Sequence, residues 1–313
     1  MNNEAIREII NTNKNNLAFV IGNGINLNFL KEGIPSWKDL VNELWETHLN
    51  ESTLNIDSIE GVSLTELYDL IELKCGENKK VNEVKDELKK EIAAKFSIPL
   101  TNNNFSEFVK NMHSLDVPII TTNFDTIIAQ SIEGYKKRIM KSRLEVQGDK
   151  HNLYYYPWNV YYSDKELNSP TNGFGIWHIN GIYEYPKSIR LGLCDYMKSV
   201  QKAQKMLHKE DLGELFSGKN EFKWSGSNTW LHILFNKNLF VFGLKLDENE
   251  VFLRWLLIQR AKYARMYNRP LKGWYVDKEI SNGKKIFLKI LGFEIVDIID
   301  YNELYSVFDS RNL

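Results

Sequence analysis

The strongest constraint on the fold is a set of short, unbroken apolar runs separated by stretches of helical periodicity. Leu17-Ala18-Phe19-Val20-Ile21 is continuous, apolar and partly β-branched, and stops at Gly22; this predicts a strand buried on both faces. Val117-Pro118-Ile119-Ile120-Thr121 reads as a second strand, with Pro118 tolerated near its start. Residues 174–178, 189–193, 239–242, 273–277 and 293–299 are predicted to complete the set. Unbroken apolar strands alternating with helices require a parallel sheet covered on both faces, so the expected fold is α/β, a Rossmann-like doubly wound sheet.

Between the first two strands the spacing of Val81, Val84, Leu88, Ile92 and Phe96 gives one apolar stripe on a helix. Asp86 with Lys90, and Glu91 with Lys95, are placed to pair along its wet face. Residues from about 38 to 112 are therefore expected to form a helical insertion. A second, irregular and aromatic-rich insertion is expected at about 136–173. Its tyrosine run, 154–162, suits either a subunit interface or two short buried strands. With no internal repeat or low-complexity linker, residues 1–313 read as one elaborated domain.

Composition narrows the partners. Hydrophobic residues make up 43% of the 313, enough for a large core, and the formal net charge is −1. A balanced charge gives no overall pull toward nucleic acid. Local basic clusters, Lys136-Lys137-Arg138 with Lys141 and Arg143 and a second at 198–209, read as solvated helix faces. Cys75 and Cys194 are the only cysteines and have no metal-ligand spacing, which points to a reducing setting and no structural zinc. The start of the chain lacks a signal-peptide pattern and no apolar run is long enough to span a bilayer. A cytoplasmic protein without membrane contact is the expectation.

Open α/β sheets bind ligands at the carboxyl ends of their strands, and several of the expected strands end unusually. The first runs into Gly22-Asn23-Gly24-Ile25-Asn26, where glycines permit a tight turn and close approach of a pyrophosphate. A plain strand-to-helix turn explains the same residues. In Gly33-Ile34-Pro35-Ser36-Trp37-Lys38-Asp39, Ser36 and Asp39 make a near capping box. Trp37 then either packs in the core or faces a flat ring. The second strand ends in Thr121-Thr122-Asn123-Phe124-Asp125-Thr126, where Asp125 either caps the next helix or joins Asn123 in facing a ligand. The third ends in Trp177-His178-Ile179-Asn180-Gly181, and a lone histidine there is either a core residue or a base.

Taken in order, G-N-G-I-N, G-I-P-S-W, T-T-N-F-D, W-H-I-N-G and F-V-F-G-L-K-L-D resemble the sirtuin-related (SIR2-like) domain. The resemblance is nearest to a bacterial branch that lacks the zinc module and serves in antiviral defence. It runs from about residue 18 to 257 and extends loosely into 293–299. It implies that Gly22, Asn23, Gly24 and Asn26 line the phosphates and adjacent ribose of NAD. It also implies that Asn123 positions the nicotinamide riboside and the attacking water, that Asp125 holds the carboxamide, and that His178 contacts the ribose hydroxyls as base. Thr122 and Trp37 fall beside these, and Gly243, Leu244 and Asp247 fall where the family closes around the adenosine end. Asp247, with Glu250, is equally a cap for a helix over 248–266.

The chain departs from the family pattern in places. Asn26 stands where zinc-containing sirtuins have the serine of G-A-G-x-S, and Pro35-Ser36-Trp37-Lys38 replaces P-D-F-R. Lysine does not reproduce the fork of that arginine. The zinc cysteines that accompany acetyl-lysine recognition are missing, which disfavours deacylation and ADP-ribosyl transfer. The resemblance therefore implies an NAD glycohydrolase with NAD as substrate and no metal. It would be an abortive-infection effector held in check by homo-oligomerisation or a separately encoded defence protein. The alternative is a non-catalytic NAD-binding subunit of a defence complex.

Overall fold

The computed structural model describes residues 3–30, 34–49, 59–76, 81–140, 156–208, 214–217 and 223–309. Helix α1 (Asn3–Asn13) precedes β1 (Leu17–Ile21). Between β1 and β2 (Ile119–Thr121) come α2 (Gly24–Leu30), α3 (Trp37–Leu49), α4 (Leu64–Cys75), α5 (Val81–Lys95) and α6 (Asn103–Ser114). There follow α7 (Ile127–Gln130), β3 (Lys136–Ile139), β4 (Val160–Ser163), β5 (Ile176–His178), α8 (Leu193–His208) and α9 (Trp230–Asn236). The chain then runs through β6 (Asn238–Phe242), α10 (Val251–Met266), β7 (Gly273–Asp277), α11 (Asn282–Ile290), β8 (Phe293–Asp297) and α12 (Tyr301–Tyr305).

The strands form one sheet in the order β3-β4-β5-β2-β1-β6-β7-β8. All neighbours from β5 to β8 pair in parallel, while β3 and β4 run antiparallel at one edge. Counted alone, the parallel strands stand in the order third, second, first, fourth, fifth, sixth, that of a doubly wound nucleotide-binding sheet. The order reverses between β1 and β6, the switch point at whose carboxyl ends sheets of this kind bind their ligands.

The apolar runs become strands because both faces of the sheet are covered. Phe19, Ile21, Ile119, Phe240 and Phe242 enter one core, and Ala18, Val20, Ile120, Leu239 and Val241 enter the other. The α5 stripe also forms, with Val84, Leu88, Ile92 and Phe96 buried. The charges on its other face do not pair along the helix as expected. Asp86 meets Lys187 at 2.6 Å, Glu91 meets His48 at 2.8 Å and Lys95 meets Glu43 at 2.5 Å, because neighbouring elements pack within reach.

Three local expectations need correction. Residues 189–192 form no strand, although Ile189 and Leu191 are buried. β5 already has β4 and β2 as neighbours, so this extended stretch bonds loops instead, with Arg190 N–H donating to the Asn180 carbonyl at 2.8 Å. The cluster Lys136-Lys137-Arg138 lies on the edge strand β3 rather than a helix; Lys141 and Arg143 fall outside the described residues. The helix expected from 248 starts at Val251. Lys198, Lys202 and Lys205 do form a solvated face, on α8. For the tyrosine run the strand reading holds over Val160–Ser163, which is buried; Tyr154 and Tyr155 fall outside the described residues. Among the described residues no helix is long and apolar enough to cross a membrane.

Candidate functional site at the carboxyl edge of the sheet

The turn after β1 is built by backbone packing. Gly24 N–H donates to the Gly243 carbonyl at 2.8 Å, and Gly243 has φ +60°, open to glycine at little cost. A Cβ on either Gly22 or Gly24 would lie 2.7 Å from that same carbonyl oxygen. These glycines thus let the β1 and β6 turns touch, and the Gly24 N–H is already occupied. Beyond Gly243, Leu244 turns its side chain into the core and its carbonyl accepts the Tyr275 hydroxyl at 2.8 Å. Asp247 accepts the Asn249 N–H at 3.0 Å in a turn ahead of α10.

A chain of amides joins the first two strand ends. Asn23 Nδ2 donates to the Pro35 carbonyl at 3.2 Å. Asn26 Nδ2 is shared between Asn23 Oδ1 at 3.1 Å and Asp125 Oδ2 at 2.9 Å. Asp125 Oδ1 also accepts the Ile127 N–H at 3.0 Å, so the residue both starts α7 and reaches across to the β1 turn. Thr122 N–H donates to the Ile21 carbonyl at 3.1 Å, locking the β2 end against β1. The Ser36–Asp39 box forms, with Ser36 N–H donating to Asp39 Oδ2 and Asp39 N–H to Ser36 Oγ, each at 3.2 Å; Gly33 lies outside the described residues. Trp37 is half-buried, tilted against Tyr196 with ring centres 6.1 Å apart.

Burial raises the Asp125 carboxyl from 3.8 to about 6, against the opposing pull of its Ile127 and Asn26 donors. Because the folded value lies above the unfolded one, folding binds a proton between about pH 4 and 6. The ionised carboxylate therefore weakens the fold above pH 6 and stops doing so below about 4. Asp125→Asn should stabilise the chain at neutral pH by up to about 3 kcal/mol. Asn26 would turn its partnerless Oδ1 toward the new amide. Urea unfolding at pH 7.5 and pH 4.5 tests this: the gain must shrink at the lower pH, and an equal loss at both would refute it.

His178 and Asn123 form the second cluster. His178 Nδ1 lies 2.8 Å from the Asn123 carbonyl oxygen, which only accepts, so Nδ1 carries the proton and Nε2 presents a lone pair. Nε2 is buried without a partner, and burial pulls the imidazole down to about 4, leaving it neutral at physiological pH. The Tyr162 ring packs edge-on at 5.6 Å. Asn123 anchors its own N–H on Thr121 Oγ1 at 3.1 Å, yet both polar atoms of its side chain are buried and unpartnered. Each such group costs about 1–3 kcal/mol unless it is met by water or a ligand, so these atoms at adjacent strand ends are the ones with hydrogen-bonding capacity to offer.

Sequence reasoning missed two residues. Asn180 Nδ2 donates to Glu250 Oε2 at 3.4 Å, and Asn180 Oδ1 is buried without a partner. Asn180 stands two residues past His178, a signal that pointed to it; Glu250 showed only as a possible cap. Among the described residues no group of three or more His, Cys, Asp or Glu side chains could hold a metal ion. An open depression of about 730 Å³, lined in part by His208, Phe216, Lys262 and Met266, lies at the far ends of α8 and α10 and includes none of the residues above.

The fold and its carboxyl edge define an α/β protein of Rossmann-like, doubly wound type. The sequence matches no protein-family model and no curated protein.

Proposed function

We propose that this chain hydrolyses NAD to nicotinamide and ADP-ribose. The observation that carries the reading is the pair His178 and Asn123: a neutral imidazole of fixed tautomer whose Nε2 lone pair is unpartnered, beside an amide with both polar atoms unpartnered. The resemblance to the zinc-less sirtuin-related domain gives the same residues their roles. In the reaction the bond between the ribose and nicotinamide breaks and water attacks the anomeric carbon. Asn123 orients the riboside and that water, Asp125 holds the carboxamide, and His178 Nε2 accepts a proton from the water or through a ribose hydroxyl. Asn23 and Asn26 face the phosphates and ribose, with Trp37 beside the nicotinamide.

An unrestrained enzyme of this kind would exhaust cellular NAD. The same reading therefore includes restraint by self-association or by a separately encoded partner, and a role in abortive infection. The test is nicotinamide release from NAD by the purified chain, alone and with the products of neighbouring genes. Tight NAD binding without release in any combination would overturn the hydrolase and favour an NAD-binding subunit.

A further inference from the structure

Cleavage of NAD moves positive charge from the pyridinium ring onto the ribose, and a site that speeds it needs negative charge where that cation grows. His178 is neutral and Asn123 is an amide. Both oxygens of Asp125 already take donors, from Ile127 and Asn26. Glu250 is a different case. It is 9% exposed, on the loop between β6 and α10, and the one charge that acts strongly on it is the like charge of Asp247. Among the described residues no cation forms an ion pair with it.

Its place in the fold is as telling as its burial. β5 and β6 stand three strand intervals apart, about 14 Å at the usual ~4.8 Å spacing. The bond from Asn180 to Glu250 therefore links the loops leaving β5 and β6 across the carboxyl ends of β2 and β1. Those two strands lead into Asn123, Asp125 and Asn26. Around Glu250 lie further buried polar atoms without partners: Asn180 Oδ1, the Tyr196 hydroxyl, which feels the Glu250 charge, and the Trp37 indole N–H beside Tyr196. A buried carboxylate with no cation of its own, among unpartnered donors and acceptors, suits a ligand that brings the cation.

We propose that Glu250, held by Asn180, is the counter-charge of this site: it contacts the nicotinamide-side ribose and stabilises the cation that forms as nicotinamide leaves. This rests on the hydrolase reading. The C1′–N bond breaks with both electrons passing to the ring nitrogen, so nicotinamide departs neutral. Water oxygen bonds to C1′ and its proton goes to His178 Nε2 and then to solvent. Glu250 exchanges neither proton nor electron and acts through its charge. Burial and Asp247 raise its carboxyl to about 7 in the protein alone, and an arriving cationic ring favours the ionised form.

NAD and NADH differ in the charge of the ring, so their relative binding reads this charge directly. Both, with ADP-ribose as a ring-free control, would be titrated against the full chain carrying His178→Ala, so that NAD survives. Glu250→Gln and Glu250→Met would each remove the charge, and Glu250→Asp would keep it. The parent and the Asp variant should favour NAD over NADH about tenfold, while either neutral variant brings the ratio near one, any loss of the ribose contact falling equally on NAD, NADH and ADP-ribose. In the chain with native His178, Glu250→Gln should lower kcat about a hundredfold or more. An unchanged ratio in a folded neutral variant overturns the role of Glu250 and leaves the hydrolase standing. A parent that binds none of the three ligands overturns both.

Discussion

His178→Ala should lower nicotinamide release by about a thousandfold while leaving the chain folded, since a positioned base contributes roughly 10²–10⁴. The physical ground is the tautomer. The Asn123 carbonyl holds the proton on Nδ1, so Nε2 is the atom free to accept one. Asn123→Ala should cost a similar factor by releasing the water and the riboside. The pH profile separates these groups from the carboxyls. With its pKa held near 4, His178 keeps its lone pair across the neutral range and contributes no limb there. A loss of rate on acidification through about 7 to 6 belongs instead to Glu250 and Asp125, both raised by burial. Circular dichroism and urea unfolding would establish that each variant is folded, and near-normal turnover in a folded variant would sink the assignment.

The largest effect on stability is expected at Gly181, directly after Asn180. It sits at φ +95°, and a Cβ there would lie 2.2 Å from the Ser188 carbonyl oxygen and 2.6 Å from the Ile189 nitrogen. Both obstacles are backbone, and Ser188 is itself fixed, its hydroxyl accepting the Ile182 N–H at 2.9 Å. Neither can swing away as a flexible side chain would. Gly181→Ala should therefore cost about 4 kcal/mol and lower Tm by on the order of 10 °C. Because Asn180 leads into this turn, any folded remainder should also bind NAD poorly. A melting temperature within about 2 °C of wild type would show that the 181–189 segment yields more easily than its contacts imply.

The parallel strands were legible because burial on both faces leaves no polar alternation; Leu17–Ile21 and Asn238–Phe242 are apolar or nearly so throughout. β3 was not, because an edge strand faces water and Lys136, Lys137 and Arg138 carry no apolar signal. The stretch 189–193 misled for the opposite reason: Ile189 and Leu191 alternate as a strand does, but a full set of neighbours around β5 leaves it no ladder to join. At the site, the motifs led to Asn26, Asn123, Asp125 and His178, which the fold places at three adjacent strand ends. The direction of the Leu244 side chain, into the core, was not legible, because a residue one step past a strand looks the same in sequence whichever way it faces. Glu250 was hidden because its burial depends on a loop that bridges distant strands.

The bond between His178 and position 123 is made by main chain, and so survives any substitution of that residue's side chain which leaves the turn in place. Orientation of the imidazole and the chemistry of the neighbouring amide are thus inherited separately. A double-mutant cycle between the two positions would measure their cooperation in turnover uncontaminated by loss of the tautomer. The amide could be exchanged for other polar groups, redirecting the site toward other acceptors, while the histidine stays aligned.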